Sequence, residues 1–118
     1  MKSIKNLMVL SLFLLSGLAH AHVHLKNSAP ENGAMLNNAP EHIMIEFSGK
    51  VRLVKLQLTK GSDKPIKLIK SPTPNFQYKH QIKLPQLSQG EYKVSWIAMG
   101  QDAHKMKDYV IFTVNNNK

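Results

Sequence analysis

Apolar residues return at every second position in one stretch of this chain after another, and that period of two confines its fold. Ile43, Ile45 and Phe47 alternate with Met44, Glu46 and Ser48. Tyr92, Val94, Trp96 and Ala98 form the inward face of another stretch, ending at Met99-Gly100, and Val110, Phe112 and Val114 that of the last. Between them Phe76, Tyr78, His80, Ile82 and Leu84 share one face, with Gln77, Lys79, Gln81 and Lys83 on the other. Val54, Leu56 and Leu58 alternate with Lys55, Gln57 and Thr59, while Val51 and Leu53 fall in the opposite phase, which predicts a β-bulge between them. Past residue 21, no stretch keeps a helical period over three turns.

Turn chemistry separates these runs. Leu25–Ala29 is a short extended segment followed by Pro30-Glu31-Asn32-Gly33, a turn signal, and Met35–Pro40 reads as a loop. Gly49-Lys50 is expected to break one strand, Lys60-Gly61-Ser62-Asp63 to make a turn, and Ser71-Pro72-Thr73-Pro74 to end a short edge strand over 65–70. Pro85–Gly90 is a further loop, and Gln101–Asp108 a polar connection. Some seven short strands at spacings of about 8 to 12 residues predict an all-β protein, an antiparallel immunoglobulin-like Greek-key β-sandwich with Trp96 as its central aromatic.

The first 21 residues have the parts of a secretory signal: Lys2 and Lys5, an apolar run from Leu7 to Leu15, then Ala19-His20-Ala21. The run falls short of the roughly 20 apolar residues of a spanning helix. The expected organisation is therefore a cleavable signal peptide over 1–21 and one domain over 22–118, exported to the periplasm; a cut after Ala19 also satisfies the small-x-small rule. Of 118 residues, removing 21 leaves 97, enough for one small domain. Cysteine is absent, so disulfides and thiolate ligation are excluded. Of the 16 basic residues, removing Lys2 and Lys5 leaves 14 against 7 acidic ones. Lys55, Lys67, Lys79, Lys83 and Lys93 alternate with apolar neighbours, the pattern of a solvated sheet face and not of a nucleic-acid site.

Cutting after Ala21 makes His22 the first residue, with a free α-amine and an imidazole that can close on one metal ion. Asp102-Ala103-His104 lies near the other end of the chain. Alone, this D-x-H reads as a solvated turn. Joined to an N-terminal histidine it becomes a candidate site, because amine and imidazole are donors that Cu(II) prefers in a tetragonal plane, with a carboxylate in a weaker position.

In these residues the chain resembles the CopC-type periplasmic copper-binding and copper-resistance proteins. The matching pieces are His22 after an A-x-A cut, Ser28-Ala29-Pro30-Glu31-Asn32-Gly33-Ala34, Ala39-Pro40, Ile45-Glu46-Phe47-Ser48, Gly90-Glu91-Tyr92-Lys93-Val94-Ser95-Trp96, Asp102-Ala103-His104 and Phe112-Thr113-Val114. The resemblance implies a barrel-like sandwich that binds one Cu(II) per chain through His22, Asp102 and His104, with an inner-membrane copper importer as a possible partner. His24, third from the expected N-terminus, is a further metal candidate, either a ligand or an imidazole beside the ligands. Two departures from the family pattern stand out. Gly49 occupies a place where members often carry glutamate, and Leu58–Ile69 has neither the methionine nor the histidine of a Cu(I)-binding hairpin.

The other candidates have plainer readings. His42 opens a strand on its polar side, His80 reads as a satisfied, partly buried histidine, and His20 leaves with the signal. Met99 and Met106 read as gap-fillers at strand ends, not as thioether ligands. There is no cysteine nucleophile, phosphate loop or nucleophile elbow, so no enzyme activity is expected. The alternatives are a histidine-brace copper oxygenase and a metal-free sandwich acting as an interaction module.

Overall fold

The computed structural model describes residues 22–116, and every regular element among them is a strand. These are β1 (Leu25–Ala29), β2 (Ala34–Leu36), β3 (His42–Lys60), β4 (Ile66–Lys67), β5 (Gln77–Lys83), β6 (Gly90–Gly100) and β7 (Lys105–Val114). The strands form one seven-stranded sheet in the order β1-β3-β6-β7-β2, with β4 and β5 also paired to β3. Every pairing is antiparallel except β2 with β7, which is parallel.

The sheet folds into a sandwich because β3 serves both layers. Its first half pairs with β1 and β5, through Phe47 and Glu46 respectively. From Val51 onward it pairs with β6, and Gln57 and Leu58 hold β4. The expected break at Gly49-Lys50 does not occur. Ile43, Ile45, Phe47, Val51 and Leu53 all lie in one phase, so the strand runs through and only its partners change. The bulge does occur, as a register shift between Leu53 and Lys55 opposite β6. Val54 sits on it and is only half-buried, whereas Leu53, Leu56 and Leu58 are in the core.

The inward faces of β6 and β7 are as expected: Tyr92, Val94, Trp96, Ala98, Val110, Phe112 and Val114 are all buried. Phe47 of one layer meets Trp96 of the other edge to face, with ring centroids 6.1 Å apart. The Tyr92 hydroxyl donates to the Ser88 carbonyl at 2.7 Å, a tyrosine corner of the kind that closes immunoglobulin-like sandwiches.

Three local expectations need correction. Tyr78 is half-exposed, under the Lys50 ammonium at 5.7 Å, because the β5 register slips between Glu46 and Val51 and carries Tyr78 off the core. Met35 lies in strand β2, whose three residues are too short to show a period. The polar connection is confined to 101–104, because Lys105 already pairs with Met99. Lys55, Lys67, Lys79, Lys83 and Lys93 are exposed, in keeping with a solvated face. No helix among the described residues is long and apolar enough to cross a membrane.

Candidate metal centre

The turn between β6 and β7 is shaped by one residue. Ala103 adopts a φ of 67°, the left-handed region. Its N–H donates to the Gly100 carbonyl, and the Gly100 N–H donates to the His104 carbonyl, both at 3.0 Å. This is a three-residue hairpin loop closed by a left-handed residue. The kink folds Asp102 back onto His104. Asp102 Oδ1 accepts the His104 backbone N–H at 3.1 Å, and Oδ2 accepts from the ring Nδ1 at 2.7 Å.

The pair is open to solvent, with 86% of the His104 side chain and 67% of that of Asp102 exposed. The hydrogen bond from the His104 ring, reinforced by the His104 backbone N–H, holds the Asp102 carboxyl below the usual carboxylate range. With the neutral ring's proton on Nδ1, the lone pair of Nε2 is left free. That is how a carboxylate presents an imidazole to a metal ion.

The N-terminal arm reaches the same place from the other side. His22 and Val23 line a cleft of 730 Å³ together with Gly49, Lys50, Gln101, Asp102, His104, Lys105 and Met106. Val23 is half-buried and packs against the core. A β-carbon on Gly49 would stand 2.7 Å from Val23 Cγ2, and one on Gly100 would stand 4.0 Å from the same methyl. Gly49 thus leaves a seat for the valine, whereas a β-carbon on Gly100 would meet it only at ordinary contact distance and would crowd Asp102 Oδ1 at 3.0 Å instead. A larger residue at 49 would displace Val23.

His24 does not line the cleft. Its backbone N–H donates to Ser48 Oγ at 2.9 Å, and Ser48 N–H donates to the His24 carbonyl at 2.9 Å. The His24 ring Nδ1 lies 3.2 Å from Ser48 Oγ and 3.3 Å from the His22 carbonyl oxygen.

The structure therefore brings His22 to the cleft of Asp102 and His104, and sets His24 apart against Ser48. Two imidazoles and a carboxylate are donors that suit a borderline transition-metal ion. Among the described residues no group of three or more His, Asp or Glu stands close enough to hold one. His22 lines the same cleft as the hairpin pair but stands outside metal-holding range of it. The expected signal peptide and cleavage point fall on residues 1–21, outside the described residues.

Two contributors escaped the sequence reading. Ser48 had a signal, being a hydroxyl on the polar phase of β3 next to a glycine. Val23 had one too, as an apolar residue between two histidines that an extended chain would turn inward. Of the remaining histidines, His42 is exposed. His80 is buried, its Nε2–H directed at the Val51 carbonyl at 3.0 Å and the Gln77 carbonyl at 3.2 Å.

The CopC domain profile matches residues 25–115, nearly all of the described fold. The chain belongs to the CopC family. It is 29% identical to protein YobA of Escherichia coli K12 over 113 residues, covering 92% of this chain and 90% of YobA. Among solved structures, PcoC, a methionine-rich copper resistance protein from Escherichia coli, has a TM-score of 0.59 and 29% identity, covering 80% of this chain and 100% of PcoC. CopC from Methylosinus trichosporium OB3b has a TM-score of 0.66 over 80% of this chain and 94% of that one. At 19% identity, that second likeness speaks for the CopC fold.

Proposed function

We propose that this protein is an exported, non-enzymatic copper-binding protein that takes up one Cu(II) per chain and serves copper resistance or supply. The observation that carries the reading is that His22 and the Asp102–His104 pair, from opposite ends of the domain, line one cleft. The copper resistance named for the related PcoC supports the choice of metal.

In this reading residues 1–21 are a signal peptide, and their removal in the periplasm frees the His22 amine. Amine and imidazole of His22 and the imidazole of His104 supply nitrogen, and Asp102, once released from its hydrogen bond to the His104 ring, supplies a weaker oxygen. His24 lies beside the site. PcoC is described as methionine-rich, but residues 58–69 of this chain contain no methionine or histidine, so the proposed cargo is Cu(II) at this cleft. An inner-membrane copper importer is the proposed receiver.

The test is a Cu(II) titration of the exported protein and of its His104→Ala variant at pH 7, followed by electron paramagnetic resonance. The expected result is one ion per chain, bound at least about tenfold more weakly in the variant, as losses of metal-site partners commonly are. Uptake indifferent to residue 104 would remove the site.

A further inference from the structure

We infer that Val23 and Ser48 form a latch that decides which of two copper-binding modes the N-terminus uses, an inference that rests on the copper reading above. A chain starting His22-Val23-His24 has two ways to hold Cu(II). One is the cleft, with His104. The other is wholly local: the α-amine, the ionised backbone nitrogens of Val23 and His24, and the His24 ring. In that local mode the ring must bind through Nδ1, which closes a six-membered chelate with the backbone nitrogen of its own residue.

The structure engages the very groups the local mode requires. The His24 N–H is held by Ser48 Oγ at 2.9 Å, and His24 Nδ1 lies against that same hydroxyl at 3.2 Å. The His24 carbonyl is tied to the Ser48 N–H at 2.9 Å, which continues the pairing of β1 with β3 toward the N-terminus. One residue earlier, Val23 fills the space that a β-carbon on Gly49 would take. Wrapping the first three residues around an ion would draw Val23 out of that seat and strip both contacts from Ser48.

His22 lies on the other side of this anchor. It faces the cleft with its backbone direction already set, so the cleft mode keeps the latch closed and the local mode must open it. Ser48 and Val23 are positioning residues: neither is proposed to touch the ion. They act by making one arrangement of the arm cheaper than the other.

The test uses exported protein, its N-terminus read by mass spectrometry, with Ser48→Ala and Val23→Ala made separately and folding verified by thermal unfolding. In metal-free protein, each variant should speed hydrogen exchange of the His24 amide about tenfold while core strands keep their protection. With one equivalent of Cu(II) at pH 7, each should gain a four-nitrogen component in the electron paramagnetic resonance spectrum, and adding His24→Ala should abolish that component. The parent protein should show it only weakly. Unchanged exchange and unchanged spectra in both variants would overturn the latch, while a parent spectrum that still responds to His104→Ala would leave the copper site standing. A parent spectrum that ignores His104→Ala and already depends on His24 would overturn both.

Discussion

His80 and His104 show how differently the same side chain is used in this fold. His80 is 3% exposed, its ring edge-on to Phe47 at 6.1 Å and its Nε2–H given to backbone carbonyls. Burial lowers its pKa below the ordinary value, with the carbonyls of Val51 and Gln77 partly opposing the shift. Below about pH 6.5 the unfolded chain therefore takes up a proton that the folded one refuses. The stability His80 contributes is complete above that pH and declines as the pH falls toward the folded value. Urea unfolding at intervals from pH 7.5 to 5 should show this decline, and His80→Gln should flatten it; an equal slope in the variant would assign the proton uptake elsewhere. The inward phase of the strand made His80 legible in the sequence. The pairing of Asp102 with His104 could not be read that way, because it depends on the left-handed turn at Ala103, a conformation for which alanine gives no signal.

At the scale of elements, period-two alternation located β6, β7 and both halves of β3. It could not show that the halves are one strand of 19 residues, since a glycine followed by a lysine reads as punctuation. Gly49 instead makes room for a side chain from another segment, a contact between distant residues that local pattern cannot carry. β2 was hidden for another reason: three residues held by the parallel pairing Ala34–Phe112, Met35–Thr113 and Leu36–Val114 owe their form to tertiary structure. The joints between elements make separable predictions. Phe47→Ala removes the ring that links β3, β5 and β6 and should cost about 3–5 kcal/mol. Tyr92→Phe keeps the stacking on Phe112 but loses the bond to Ser88, and should cost about 1 kcal/mol. Chemical denaturation ranks the two. A tyrosine corner as costly to lose as the Phe47 ring would mean that the loop before β6 carries more of the fold than its contacts indicate.

For the molecule as a whole, the arrangement places the proposed copper site in a cleft where the two ends of the domain meet. The sandwich brings the arm before β1 against the hairpin after β6, and nothing in the unfolded chain keeps His22 near His104. Uptake should therefore be linked to folding. At free Cu(II) 100 times its Kd, the folded state gains about 2.7 kcal/mol, less whatever the unfolded histidines capture. For a domain of this size that corresponds to roughly 10–20 °C in Tm. The gain should fade in acid, because protons compete with the metal for its ligands. The most direct measurement is thermal unfolding of residues 22–118 with a free His22 amine at pH 7, with and without Cu(II), alongside the His104→Ala variant. A rise in Tm on that scale in the parent, largely lost in the variant, is the expected result. A midpoint that copper does not move, or moves equally in both proteins, would contradict a site shared between His22 and His104.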